Sequence, residues 1–321
     1  MVAKLQDVAK KAGVTITTVS RVLNDFPHVS KKTHDKVYAA IRELNYHPNA
    51  LARSLQGKSS KFIGLIFPKI ANPFFSELLN ELETKLSSKG YKIIIASSAN
   101  NIEAERRYLG MLAANMVEGI ITSSHNLGIE EYDEVNMPIV SFDRFLSNKI
   151  PIVSSDNLQG GRLAAGYLIK QGAKHIAIIA DNDNSQSPTS LRAAGALKVL
   201  QDHDVQSETI PMSDKLYSED EKVETLTKIL AEQKFDGFFA NNDTTALLIK
   251  KILKENHLPD LPVVGYDGTT FIRRYITGIA TIVQPIPQIA DNLIELLFKR
   301  IAKPAEHFDN PEVLPVTLFA N

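Results

Sequence analysis

Residues 15–21 read Thr-Ile-Thr-Thr-Val-Ser-Arg, a run of hydroxyls closed by one guanidinium. Such a run suits contact with a nucleic acid. Arg21 can grip O6 and N7 of guanine in a fork, and Ile16 can meet a thymine methyl. The hydroxyls of Thr15, Thr18 and Ser20 suit phosphate, which positions a protein without reading sequence. Asn24, His28 and Ser30 lie close behind in the chain. A capped surface helix would use the same residue types for solvation alone. The charge distribution bears on that choice. Residues 1–61 carry a net charge of +7 and the remainder −8, although the whole chain stands at −1. A small basic segment on an acidic body is the footprint of a nucleic-acid reader attached to something else, and a solvated basic face on an ordinary helical domain gives the same charge pattern.

Enzyme chemistry finds little support. Gly57-Lys58-Ser59 resembles the end of a phosphate-binding loop, but the earlier glycine that loop requires is Ala52. No His-Glu-x-x-His, Gly-x-Ser-x-Gly or Gly-x-Gly-x-x-Gly occurs. The eight histidines are scattered without metal-ligand spacing. The absence of cysteine removes disulfides, thiolate-bound zinc and thiol catalysis, and fits a cytoplasmic protein. Neither a metal nor a cofactor is expected. No apolar signal core opens the chain, and no run approaches the length of a membrane helix.

The elements that must position these groups fall into two textures. Residues 1–47 read as three helices with short turns. Leu5, Val8, Ala9 and Ala12 share one face, and Gly13 stops the first helix. Thr15 can cap the second helix, which turns Val19, Val22 and Leu23 inward. Ser30 can cap the third, with Val37, Ile41 and Leu44 as its apolar stripe. Pro48 closes the unit, and Gly57-Lys58-Ser59-Ser60 reads as a connector.

From Phe62 onward, apolar runs at 62–67, 93–96, 119–122, 139–142, 176–180, 237–240 and 263–266 alternate with amphipathic stretches. Those stretches cover 75–88, 103–115, 159–171, 190–202, 220–232 and 244–255. This is the pattern of an α/β fold with doubly wound parallel sheets. Glu118-Gly119-Ile120-Ile121 echoes Asp236-Gly237-Phe238-Phe239, which points to two similar lobes with a cleft between them. Ligands in such folds sit beyond the carboxyl ends of the strands, where Asp143 and Asp267 each follow an apolar run.

The run Val8-Ala9 … Ala12 to Asn24 resembles the headpiece of the LacI/GalR family of repressors, and Asn45 to Leu55 resembles that family's hinge. Ala71-Asn72-Pro73-Phe74-Phe75, Asn242-Asp243, Val264-Gly265-Tyr266-Asp267 and Thr281-Ile282-Val283-Gln284-Pro285 are similar to its effector domain. Arg53 to Ser59, Ser123 to Ile129, Ile150 to Asn157 and Gly265 to Thr269 are most similar to members that answer to sucrose.

The resemblance implies a helix-turn-helix headpiece over 1–48, a hinge helix and linker over 49–60, and a two-lobed, periplasmic-binding-protein-like domain over 61–321. It places the first lobe at about 61–158 plus 286–314 and the second at about 159–285 plus 315–321. Operator DNA would be met by Leu5, Gln6, Thr15, Ile16, Thr17, Thr18, Ser20, Arg21, Asn24, His28 and Ser30. In the minor groove the contacts would come from Asn49, Ala52, Arg53 and the wedge Leu55. A sugar or sugar phosphate would be met by Phe74, Phe75, Ser123, Asp143, Arg192, Asn242, Asp267 and Gln284. Gly268 departs from the Asp common there in lactose-type members. Arg144 and Arg162 would suit a phosphate, but a surface role accounts for both.

The function so implied is a repressor of a sugar-utilisation operon, sucrose first, released by its sugar. The alternatives are a regulator of another sugar, a corepressor-dependent or catabolite-type regulator, a transport component of the same fold, and a sugar kinase. A homodimer is expected through helices near 75–88 and 286–302. A tetramer is not, since residues 315–321 read as a final strand with no leucine heptads after it.

Overall fold

The structure is a computed structural model describing residues 3–23, 26–46, 59–99, 101–114, 117–126, 128–134, 137–180, 187–212, 218–304 and 312–320. It forms two compact units, Met1–Ser60 and Lys61–Asn321.

In the first unit, α1 (Leu5–Ala12), α2 (Ile16–Leu23) and α3 (Lys31–Glu43) share a small core of Val8, Ala9, Ala12, Val19, Val22, Val37 and Ala40. Gly13 ends α1 in the left-handed region, at φ +65°. The Thr15 hydroxyl accepts the Thr18 amide at 3.2 Å, and the Ser30 hydroxyl accepts the Thr33 amide at 3.3 Å. Both bonds satisfy donors that a helix start leaves without an intrahelical partner.

The second unit holds two six-stranded sheets. Strands β1 (Phe62–Phe67), β2 (Lys92–Ser97), β3 (Gly119–Thr122), β4 (Ile139–Phe142), β5 (Ile152–Ser155) and β11 (Glu312–Leu314) form the first, in the order β11-β5-β4-β3-β1-β2. All its pairings are parallel. The second contains β6 (His175–Ala180), β7 (Gln206–Pro211), β8 (Gly237–Phe239), β9 (Val263–Asp267), β10 (Ala280–Val283) and β12 (Thr317–Phe319). Its order is β12-β10-β9-β8-β6-β7, and only β12 runs antiparallel to its neighbour.

Helices α4 (Pro73–Ser88), α5 (Ile102–Ala113) and α6 (Glu131–Glu134) lie among the strands of the first lobe in the chain. Helices α7 (Asn157–Lys170), α8 (Leu191–Asp202), α9 (Glu219–Ala231), α10 (Asp243–Glu255) and α11 (Thr270–Tyr275) lie among those of the second. The chain then returns, and α12 (Ile286–Ala302) buries Ile286, Ile289, Leu293 and Leu297 against Ile63, Leu65, Val140 and Val153 of the first sheet. Helix α12 is one of the two expected interface helices; Ile289, Leu293 and Leu297 of its apolar stripe pack on the helix's own sheet, while Leu296 and Ile301 are half-buried. The apolar face of α4, with Phe74, Phe75, Leu78, Leu82 and Leu86, is core as well.

Every anticipated apolar run is a strand, the expected final strand is β12, and among the described residues four strands join them. Of these four, β7 is a polar edge strand, and β5, β10 and β11 have three or four residues each. Among the described residues no helix is long and apolar enough to cross a membrane.

One contact sets the position of the cleft residues. Helices α7 and α8 cross so closely that a Cβ on Gly161 would lie 1.9 Å from the Arg192 carbonyl oxygen. On the other side, a Cβ on Gly195 would lie 2.1 Å from the Leu158 carbonyl oxygen. Only glycines permit backbone to meet backbone at that separation.

Candidate functional site

On the first unit, α2 turns Val19 and Val22 into the core, which leaves Ile16, Thr17 and Arg21 exposed along one side. Ile16 is 47% exposed. The Arg21 guanidinium lies 5.5 Å from the ring of Phe26, itself half exposed. The Thr15 and Thr18 hydroxyls bond each other at 2.9 Å, so part of their capacity serves the cap. Leu5 is half-buried, Gln6 and Ser30 are exposed, and His28 is exposed at φ +81°. Asn24, Asn49, Ala52, Arg53 and Leu55 lie outside the described residues.

On the second unit, the carboxyl ends of the two sheets face each other across the crossovers. Asp143 follows β4 directly, at φ +53°, with almost no exposure. Its carboxylate accepts from the Ser154 hydroxyl at 2.6 Å and from Asn157 Nδ2 at 2.8 Å. Arg192, at the start of α8, donates from Nε to Asn157 Oδ1 at 2.7 Å and from NH1 to the Asn241 carbonyl at 2.9 Å. Its NH2 reaches Asp143 Oδ2 at 3.4 Å, across from one lobe to the other. Behind the guanidinium lies the ring of Tyr266, 3.6 Å from Cζ to centroid.

A second chain of bonds runs along the crossovers. The Ser155 hydroxyl donates to Gln284 Oε1 at 2.7 Å, and Gln284 Nε2 donates to Asp267 Oδ1 at 2.8 Å. Asp267 ends β9 at φ +123°, followed by Gly268 at φ +58°. Asp243 holds this turn from below. Its carboxylate accepts the Gly268 amide at 2.8 Å and the Thr281 hydroxyl at 2.5 Å. A Cβ on Gly268 would sit 2.5 Å from Val283 Cα, so the Asp of lactose-type members has no room here.

The electrostatics follow from this burial. Desolvation raises the Asp143 carboxyl above its ordinary value, opposed by Arg192 and by the hydrogen bonds of Ser154 and Asn157. Burial lifts Asp243 to about 7. Asp267 is pushed well above the usual carboxylate range by burial and then by the charge of Asp243. The cluster is thus a set of planar carboxyls, two amides and one guanidinium, closely spaced and buried. Adjacent hydroxyls that donate to carboxylates and accept from guanidinium and amide are the natural match.

The remaining expected residues take different places. Phe74 is buried and stacks on Phe142 with centroids 5.5 Å apart, and Phe75 lies edge-on to His125 at 6.2 Å. The Ser123 hydroxyl donates to the Phe142 carbonyl at 2.9 Å. Asn242 caps α10, its Oδ1 accepting from the Thr245 amide at 2.8 Å and the Thr244 hydroxyl at 2.7 Å. Arg144 is buried, not a surface group. It donates to the Thr189 hydroxyl at 2.7 Å and meets His125 Nε2 at 2.7 Å. Arg162 is exposed, as expected.

Sequence reasoning missed Asn157, Asp243 and Tyr266. Asp243 stood beside the chosen Asn242, and Asn157 closes the run Ser154-Ser155-Asp156-Asn157 at the end of a strand that was not anticipated.

The lobes meet at the rim too. Glu77 of α4 accepts both the amide and the hydroxyl of Thr270, at 2.8 Å each, and Lys69 pairs with Glu219 at 3.0 Å.

Comparison with known proteins accords with both units. Residues 4–49 match the model of bacterial regulatory proteins of the lacI family, and residues 63–304 match a periplasmic binding protein domain. A sucrose operon repressor of Streptococcus mutans is 49% identical over 100% of this chain and 99% of its own. One of Lactococcus lactis subsp. lactis is 45% identical over 98% of each. The lac repressor dimer bound to operator and the anti-inducer ONPF has a TM-score of 0.81 at 28% identity, covering 99% of this chain and 98% of its own. A periplasmic binding protein/LacI transcriptional regulator of Alkaliphilus metalliredigens, complexed with D-xylulofuranose, has a TM-score of 0.72 at 29% identity, covering 81% and 97%. With two such domains in this order and full-length relatives at this identity, the chain belongs to the lacI family of bacterial regulatory proteins.

Proposed function

We propose that this protein is the repressor of a sucrose-utilisation operon, a DNA-binding regulator and not an enzyme. It holds its operator when free and leaves it on binding a fructose-containing sugar, either sucrose or a phosphorylated relative. Residues 1–48 form the operator-reading headpiece, 49–60 the hinge and 61–321 the sensor. The observation that carries the reading is the buried cage of Asp143, Asn157, Arg192, Asp267 and Gln284. Its members come from both lobes, so filling the cage and fixing the lobes against each other are one event. Phe74, Phe75, Ser123 and Asn242 complete the effector site, the first two as its apolar wall. The headpiece reads bases with Ile16, Thr17 and Arg21. Leu5, Gln6, Thr15, Thr18, Ser20, Asn24, His28 and Ser30 serve the phosphates, while Asn49, Ala52, Arg53 and Leu55 serve the minor groove.

The protein works in the cytoplasm as a homodimer, because a near-palindromic operator needs two headpieces. The exposed apolar groups of the second unit include Phe271 and Tyr275, whose rings lie 5.5 Å apart, and these offer the partner a surface. Tyr275 is 70% exposed.

A panel of sucrose, fructose and their phosphates, scored by thermal shift and then by operator affinity, tests the reading. A ten-fold loss of operator affinity needs only about 1.4 kcal/mol of differential binding. A sugar that tightens operator binding would make the protein a corepressor-dependent regulator, and no response to any of the panel would set the sucrose reading aside.

A further inference from the structure

Tyr266 is fully buried on the α7–α8 side of the second sheet, among Ala164, Leu168 and Ala196. Its hydroxyl has no hydrogen-bond partner among the described residues. Within the chain, the contacts of this tyrosine are made by its ring, and Arg192 meets the ring's face. Against that face lies the Arg192 guanidinium, at 3.6 Å. The hydrogen bonds from Arg192 to Asn157, Asn241 and Asp143 all leave through the guanidinium edge. Bonds at the edge fix reach and direction. A stacked ring fixes the tilt of the plane, and a cation on an aromatic face gains most where water is excluded.

The ring is itself held in place. A Cβ on Gly160 would stand 2.5 Å from the Tyr266 hydroxyl oxygen and 2.7 Å from Cε2. Gly160 is the space in α7 that lets the ring lie under Arg192.

We propose that Tyr266 is a positioning residue for effector binding: its buried ring, given room by Gly160, is the platform that sets the plane of the Arg192 guanidinium in the cleft. The proposal rests on the reading that Arg192 meets the sugar, and the test keeps the two apart.

The full-length protein is used, with sucrose as the probe. The side-chain Nε–H resonance of Arg192 is identified by its loss in Arg192→Lys. In the wild-type chain and in Tyr266→Phe it should carry the upfield shift of a proton over a ring; in Tyr266→Leu it should not. Sucrose affinity by calorimetry should be unchanged in Tyr266→Phe. It should be weaker by about ten- to thirty-fold in Tyr266→Leu and Gly160→Ala. Operator affinity without sugar should stay within about two-fold throughout, since the headpiece is untouched. An unshifted Arg192 resonance in the wild-type chain overturns the platform. So does a Tyr266→Leu or Gly160→Ala chain that binds sucrose as the wild type does while Arg192→Ala does not. If Arg192→Ala binds sucrose undiminished, or the wild type does not bind it, the effector-site reading fails and the resonance still decides the platform. Should Tyr266→Leu not fold, Gly160→Ala and the wild-type resonance carry the test.

Discussion

Helix α7 offers two glycines five residues apart whose replacement by alanine should act in opposite directions. Gly166 faces open space, and a Cβ there meets nothing within 4 Å. Gly166→Ala should stabilise the fold by about 0.5–1 kcal/mol, the helix-propensity difference between the two residues. Gly161→Ala makes the same local gain but places its methyl 1.9 Å from the Arg192 carbonyl oxygen and 2.9 Å from the Ala196 amide. Both obstacles are backbone and cannot rotate away. Ordinary contact begins at 3.4 Å, so α8 must withdraw by about 1.5 Å at the crossing. Such overpacking costs about 3 kcal/mol. Because the local gain is common to both, the two variants should differ by roughly 3 kcal/mol in urea unfolding, with Gly161→Ala the weaker. The displaced helix also carries Arg192, whose bonds to Asn157 at 2.7 Å and Asn241 at 2.9 Å would pass beyond hydrogen-bond reach. Effector affinity should fall with stability in Gly161→Ala and not in Gly166→Ala. Unfolding midpoints for the two variants within about 1 kcal/mol of each other would refute the crossing as drawn.

Three further outcomes follow from the same geometry. The raised carboxyls give a signed pH dependence, because a folded carboxyl with a raised pKa keeps a proton that the unfolded chain has lost. The stability so gained is fully present below the ordinary value of 3.8 and is lost as pH rises towards about 7, the folded value for Asp243. The ligand-free unfolding midpoint should thus fall between pH 5 and 8, and Asp243→Asn should flatten the slope; a midpoint that rises across that range contradicts the burial argument. Gly268→Asp should destabilise the second unit by about 2 kcal/mol or more, since it combines a left-handed backbone with a clash on Val283 Cα at 2.5 Å, and thermal melts would read it directly. Arg21→Ala should weaken operator binding by about 1–3 kcal/mol and relax preference at one base pair per half-site, as measured by binding to operators varied one position at a time.

Local signals carried most of the fold. Gly13, Thr15 and Ser30 announce their turns and caps because each acts within four residues of itself. Strands such as β1 and β3, buried on both faces, read as continuous apolar runs. The strand β7 escaped notice because its sequence, Gln-Ser-Glu-Thr-Ile-Pro, is that of a half-exposed edge. The stripe of α12 did not say what covers each of its residues, since periodicity shows that a face is buried and not against what. In the cleft, Asp143 and Asp267 were legible from their places after strands. The joining of Asp143 to Asn157 and Arg192 depends on three separate elements and on the Gly161–Gly195 crossing, which no local pattern encodes. Arg144 looked like a surface charge because nothing nearby in sequence foretells His125 and Thr189.

The central claim is that a sugar held by the cleft weakens operator binding by the headpiece, and fluorescence anisotropy on one labelled operator tests it. The wild-type chain should bind a near-palindromic operator tightly and release it by at least ten-fold in affinity on adding sucrose or its phosphate. Arg192→Ala should bind the same operator equally well and keep it when the sugar is added. A wild-type affinity that is indifferent to every sugar of the panel, or an Arg192→Ala chain that still lets go, would contradict the account.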